Sequence, residues 1–139
     1  MEYKKQLFTS MLTFLVLCAC KTNKTFNHHR EGKWVYKDTI NGVRYKSKGK
    51  YRRGCEVKTW KYFENGKLVK VEKYEDSICH IKTFDKKGKV TSFGQSMIIE
   101  DKDGIHWYLN DDWFFLDANG KLIGIKKYLK GELVSETKK

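Results

Sequence analysis

The chain has 139 residues, a formal net charge of +12, four cysteines and no proline. That length is ordinary for one domain with its own core and leaves no room for several. The charge creates a field that attracts anionic surfaces and weakens with salt.

In chain order, Lys4 and Lys5 precede an apolar run from Leu7 to Leu17 interrupted only by Thr9, Ser10 and Thr13. The run is too short to span a bilayer, which takes about 20 apolar residues as a helix. A basic start, a short apolar middle and small residues thereafter make a secretory leader, residues 1–19, which takes no part in the fold. The run ends Leu17-Cys18-Ala19-Cys20. This resembles the bacterial lipobox, with an aliphatic residue three before the acceptor cysteine and a small one just before it. Cys20 fits as the lipid acceptor; Cys18 does not, because Leu17 would occupy the small-residue slot. The alternative is an ordinary secretory leader with two incidental cysteines. Lipid on Cys20 would anchor the mature chain to a membrane, since each buried methylene contributes about 0.8 kcal/mol. By resemblance to lipoprotein sorting rules, Lys21 after the acceptor implies the outer membrane, facing the periplasm, in a cell with two membranes. Loss of the leader leaves the mature chain strongly basic.

Residues 20–30, which continue KTNKTFNHHR after Cys20, are polar and lack alternation, so they are expected to form a flexible tether. The domain is expected over residues 31–134, with order beginning near Trp34 and a polar tail at 135–139. Within it, aromatic and β-branched residues come in short alternating bursts separated by Gly, Asn and Asp, the punctuation of strands and turns.

The phrase NGKLVKVEKY at 65–74 returns as NGKLIGIKKY at 119–128. Asn65-Gly66 between two alternating runs predicts a hairpin with a type I′ turn. Pairing Glu64 with Lys67 sets Phe63 opposite Leu68, Tyr62 opposite Val69, Lys61 opposite Lys70 and Trp60 opposite Val71, with Trp60, Tyr62, Val69 and Val71 on the more apolar face. The second copy carries one extra residue. A three-residue Ala118-Asn119-Gly120 turn absorbs it and places Trp113 opposite Ile125, because a one-residue slip would exchange the faces. Weaker copies surround Asn41-Gly42 and Asp85 to Lys89. Turn glycines at 42, 66, 88 and 120 mark a repeat array. The longest interval contains SMIIEDKDGIHWYLND, expected to add a strand pair turned at Asp103-Gly104. The fold expected is all-β, an antiparallel meander of repeated hairpins in an elongated sheet, flat or curled.

The pattern W-x-Y-x-E-N-G-K-L followed by Lys and Tyr resembles the MORN-variant repeat of bacterial proteins. It is close over residues 58–75 and good over 111–134, but loose over 31–54 and over 78–95, where the third copy lacks the Trp and the Asn. The resemblance implies short hairpins in an elongated sheet, a lipoprotein setting and, for some members, an antitoxin label.

Residues able to carry chemistry are few. Cys55 and Cys79 could bridge in an oxidising compartment. A meander sets Cys55 opposite Asp76 and Cys79 opposite Lys73, however, roughly 10 Å or more apart, beyond the reach of a disulfide. His28 and His29 fall in the tether; His80 and His106 are isolated, and no histidine pair has zinc spacing with cysteine partners. Asp101-Lys-Asp103-Gly104 echoes a calcium loop, but Ile99 and Asn110 occupy its first and twelfth positions, so a turn is expected. Asp111 and Asp112, as strand neighbours, are expected to point to opposite faces. No catalytic residue, metal ligand or cofactor site is nominated. Trp34, Trp60, Trp107 and Trp113 are expected to fill the apolar face of the sheet more than to form a ligand strip.

The function expected is a non-catalytic envelope lipoprotein, a binding or scaffolding module. Its partners would be the membrane, through lipidated Cys20, and a protein or anionic envelope polymer; nucleic acid is not expected there. The lysines are spread along every repeat, which also suits a solubilising surface. The alternative function is an antitoxin or immunity-type protein that neutralises a partner toxin.

Overall fold

The computed structural model describes residues 21–139. These residues form one open antiparallel sheet of ten strands in sequential order, with no helix. The strands are β1 (Lys24–Phe26), β2 (His29–Ile40), β3 (Val43–Arg52), β4 (Cys55–Glu64), β5 (Lys67–Glu75), β6 (Ile78–Phe84), β7 (Val90–Asp101), β8 (Gly104–Leu116), β9 (Leu122–Leu129) and β10 (Glu132–Lys138). The all-β meander expected from the alternating bursts is therefore the fold. Cys20, expected to carry lipid, and residues 1–19, expected to be a leader, lie outside the described residues.

Asn-Gly turns close the hairpins where the sequence placed them. Asn65 and Gly66 have φ of 48° and 83°, the left-handed pair that a type I′ turn requires. The turn at Ala118-Asn119-Gly120 is also as expected: Asp117 N–H donates to the Lys121 carbonyl and Gly120 N–H to the Asp117 carbonyl. The Asp117 carboxylate accepts the Asn119 and Lys121 N–H groups at 2.8 and 2.9 Å. Asp85 repeats this geometry, accepting from Lys87 and Lys89 at 2.8 and 2.9 Å. The third copy, loose in sequence, thus has the same turn as the copy at 111–134.

Register departs from expectation in both copies, and for one reason. Glu64 faces Lys67 and Phe63 faces Leu68 as predicted, but a bulge follows at Val69, so Tyr62 faces Lys70, Lys61 faces Val71 and Trp60 faces Glu72. A bulge at Ile123 likewise puts Trp113 opposite Lys126 and Phe114 opposite Ile125. A bulged residue takes no partner and advances the pairing by one, which exchanges the neighbours of every residue beyond it.

A larger irregularity recurs on the other side of each tryptophan. Between β3 and β4, Lys48 pairs with Lys61 and Lys50 with Val57, so Gly49 alone opposes residues 58–60. Between β7 and β8, Phe93 pairs with Phe114 and Gln95 with Asn110, so Gly94 opposes residues 111–113. In both, the residue two before the tryptophan is left-handed: Lys58 at φ 61° and Asp111 at φ 63°. The indole lies over the glycine, and its Nε1–H donates to the next carbonyl, Trp60 to Lys50 at 3.1 Å and Trp113 to Gln95 at 3.0 Å.

The same unit occurs at the N-terminus, in the stretch expected to be a tether. Trp34 Nε1–H donates to the Lys24 carbonyl at 3.1 Å, and Gly32, two residues earlier, has φ 73°. Asn23 stands in the glycine's place. Its N–H donates to the Lys33 carbonyl at 2.8 Å, its Oδ1 accepts from Val35 N–H at 2.7 Å, and its Nδ2 donates to the Val35 carbonyl at 3.0 Å. One side chain thereby supplies the ladder bonds that a longer strand would make. Order accordingly begins at residue 23, before Trp34. A polar edge hairpin needs little burial, which is why its composition reads as a linker. The tail expected at 135–139 is likewise mostly strand, since Ser135 to Lys138 pair with Lys127 to Gly124. The segment Ser96–Asp111 adds no strand pair; it lengthens β7 and β8, which pair from Asp101↔Gly104 inward.

One face, here the aromatic face, carries the core. Trp60 is 2% exposed, Cys79 2% and Trp113 8%. Strands β3 and β7 contribute small residues to it, Ser47 and Gly49, then Ser92, Gly94 and Ser96, and large rings from flanking strands close over them. Tyr36 stacks on Trp60 across β3 with centroids 6.2 Å apart, and Tyr74 meets Trp107 across β6 and β7 at 5.4 Å. Alternating small and large strands let a single layer bury its rings on itself. Each aromatic can bury roughly 150–250 Å².

A Cβ built on Gly49 or Gly94 would fall inside the indole of Trp60 or Trp113. Gly49→Ala and Gly94→Ala are each expected to destabilise by about 3 kcal/mol or more through overpacking. Gly66→Ala, which meets open space, should cost only about 1–2 kcal/mol of left-handed strain. Urea unfolding midpoints at unchanged m-value test this ordering.

Candidate functional site

Strand alternation sorts the polar side chains onto two very different faces. On the aromatic face the central polar group is Glu72, 8% exposed and directly opposite both Trp60 and Ile81. Its Oε2 accepts from the Tyr62 hydroxyl at 2.5 Å and the Tyr74 hydroxyl at 2.9 Å, while Oε1 lies 2.7 Å from Lys70 Nζ. The Lys70 ammonium also sits 4.0 Å from the centre of the Tyr62 ring. A buried carboxylate with three such partners is a cross-link between β4 and β5. Burial, with the hydrogen bond to Glu72 and its charge adding, raises the Tyr62 and Tyr74 phenols well above their ordinary range. At the β1–β2 corner, Arg30 stacks over Tyr51 and Trp34, 5.2 and 5.7 Å from their ring centres, and donates to the Tyr51 hydroxyl at 3.1 Å.

The opposite face is basic over β2, β3 and β4. Lys33 faces Lys50, Lys37 faces Lys46, and Lys48 faces both Val35 and Lys61. Across residues 33–39, 44–50 and 57–63, alternation brings no carboxylate to this face; Asp38, Glu56 and Glu64 all fall on the aromatic side. Like charges directly opposite each other in a sheet are destabilising, so folding alone does not favour this arrangement. Behind the Trp60 bulge the face hollows into a concavity of about 430 Å³ whose lining includes Thr22, Lys33, Lys48, Lys50, Lys58 and Lys61.

The equivalent hollow behind the Trp113 bulge has the opposite character. His80, Gln95, Asp111 and Asp112 line a concavity of about 310 Å³ with Phe93 and Phe114. Asp111 and Asp112 were expected on opposite faces. They share one hollow because the left-handed Asp111 breaks the alternation on which that expectation rested. Among the described residues no group of three or more His, Cys, Asp or Glu side chains is arranged to hold a metal ion.

The other nominated residues are dispersed. Cys55 is exposed and Cys79 buried, and both are free thiols. Cys79 faces Tyr74 and His80 faces Lys73, one step from the register expected; burial pushes the Cys79 thiol up to about 12. His28 is in the β1–β2 turn, and His29 opens β2. Asp101 and Gly104 flank the β7–β8 turn, so that stretch is a turn as read. The sequence reading missed the basic hollow, because the lysines are scattered along the chain and only the pairing of three strands gathers them. An available signal was Gly49: an isolated glycine in a strand marks a bulge or a close approach.

The raised tyrosines and thiol are expected to make stability fall in alkali. Unfolded groups titrate near about 10 for Tyr and 8.5 for Cys, whereas the folded protein retains these protons to higher pH. Their contribution is thus complete below those values and is lost as pH rises through the folded ones. Phenolate absorbance of Tyr62 and Tyr74 should therefore emerge only with unfolding, and Cys79→Ala should flatten the stability loss that begins near pH 9. Glu72→Gln, whose single oxygen can serve both phenols but whose N–H₂ would face the Lys70 ammonium, should cost about 1–3 kcal/mol in urea unfolding.

No family model, no curated protein and no solved structure matches this chain.

Proposed function

We propose that the protein is a non-catalytic binding or scaffolding module of a bacterial envelope, anchored through lipid on Cys20, that holds an anionic envelope component against its basic face. The carrying observation is the set of like-charged cross-strand pairs Lys33↔Lys50, Lys37↔Lys46 and Lys48↔Lys61 on a face to which residues 33–39, 44–50 and 57–63 bring no carboxylate. A polyanion laid on this face would relieve the repulsion, and its affinity would fall with salt. The aromatic face supports the non-catalytic part of the reading, since its buried carboxylate is committed to Tyr62, Tyr74 and Lys70. The repeated W-x-Y-x-E-N-G-K-L phrase and the hairpin array support grouping the chain with MORN-variant repeat lipoproteins.

Two measurements test this reading. Metabolic palmitate labelling with fractionation should label the wild type in the membrane fraction and leave Cys20→Ala unlabelled; label persisting in the variant would remove the anchor. Detergent-solubilised full-length protein should bind dextran sulfate in a salt-dependent manner. The Lys46→Gln/Lys48→Gln/Lys61→Gln variant should bind about tenfold or more weakly with a shallower salt dependence, because three of the charges that set the field are gone. An unchanged affinity and slope would place the interaction elsewhere.

A further inference from the structure

We infer that the anionic component is the lipid head-group layer of the membrane that holds Cys20, with the lysine face of β2–β4 lying against it. The inference rests on the anchor proposed above. What it adds follows from where the fold begins.

Asn23 is fastened to β2 by three hydrogen bonds, to Lys33 and Val35. Only Lys21 and Thr22 separate it from Cys20. Three residue steps span at most about 11 Å when fully extended, so an acyl chain on Cys20 would leave the domain no longer leash. Thr22 itself lines the basic hollow with Lys33, Lys48, Lys50, Lys58 and Lys61. The anchor therefore emerges beside this basic concavity. A leash this short keeps that concavity close to the roughly 8 Å Debye length of an anionic surface at physiological salt. Exposed lysines on flexible stems can place their ammonium groups among phosphates while the strands remain above.

Charge complementarity and position select the same occupant. Each lysine near an anionic bilayer contributes about fivefold to partitioning, and a basic patch beside a lipid chain makes attachment durable where one chain alone is marginal. A soluble polymer would meet the same charges, but it would have to enter between the hollow and the nearby bilayer. The acidic hollow with Asp111 and Asp112 is four strand spacings from β4, about 19 Å away, and is repelled by the same surface. Docking therefore tilts the sheet, with β2–β4 lowest and the aromatic face turned away.

The test uses lipidated full-length protein in a Cys55→Ser background, where Cys79 is buried and Cys20 is blocked by lipid. One fluorophore is placed at Lys61→Cys on the basic face, another at Asp38→Cys on the aromatic face. The protein is reconstituted in vesicles of phosphatidylcholine with phosphatidylglycerol that carry a head-group nitroxide quencher. Position 61 should be quenched several-fold more than position 38. The difference should collapse in pure phosphatidylcholine, in high salt, and in Lys33→Gln/Lys48→Gln/Lys50→Gln. Equal quenching at the two positions, or a difference indifferent to phosphatidylglycerol and salt, overturns the docking. So does an unquenched position 61 whose fluorescence responds to added dextran sulfate, which would identify a polymer site. Palmitate content measured on the same preparation separates the two failures: without label the anchor itself fails, and with label only the docking does.

Discussion

An indole laid flat on backbone that carries no side chain is the contact on which the rest of this sheet depends. Trp60 over Gly49 and Trp113 over Gly94 each need a bare patch on the neighbouring strand, two extra residues in their own strand and a left-handed residue to start the excursion. In return, a large ring is removed from water in a single-layer sheet and its N–H is satisfied by a neighbouring carbonyl. Left-handed backbone at Lys58 and Asp111 is unfavourable for residues with a side chain. Burial of the indole offsets it. Each bulge also deforms the sheet, and the concavity behind it is the reverse side of the same distortion. The basic hollow is thus a geometric consequence of burying Trp60.

The two halves use one backbone device with opposite charge. Lys58-Thr59 before Trp60 and Asp111-Asp112 before Trp113 occupy equivalent positions, and the hollows behind them are basic and acidic respectively. The tryptophan and its glycine fix the backbone. The residues preceding the tryptophan are exposed or half-buried and make few packing demands, so their charge is free to differ. Such separation of scaffold from surface is expected of repeat architectures, in which each unit packs only on its neighbours. It also explains how the chain keeps a regular fold while concentrating lysine on β2–β4.

A sheet with two open edges invites association with other strands. At one edge β1 is three residues long and, among the described residues, pairs only with His29 to Glu31 of β2. At the other edge, β10 contains a bulge at Val134 and the charged residues Glu132, Glu136 and Lys138. Short strands, bulges and charge all discourage edge pairing. The faces, not the edges, are consequently the surfaces that present continuous chemistry.

Local signals were sufficient for the turns and for the class of fold. Asn-Gly at 41–42 and 65–66, the three-residue loop at 118–120 and the Asp85 loop could be placed from sequence because a residue's own φ preference and its side-chain hydrogen bonds are short-range properties. Register could not be read that way. Bulges at Val69 and Ile123 and the excursions at Lys58 and Asp111 depend on how an indole fits the strand beside it, and no preference of Val, Ile, Lys or Asp announces this. For the same reason the polar stretch before Trp34 looked like linker: its order comes from bonds between Asn23 and residues ten and twelve positions away. The sequence by itself determined an all-β meander, its turns and its strong positive charge. The tertiary structure decided which residues face each other, that Asp111 and Asp112 share a hollow, and that scattered lysines converge on one face, because these follow from pairing and packing between strands, which act across distances no local pattern encodes.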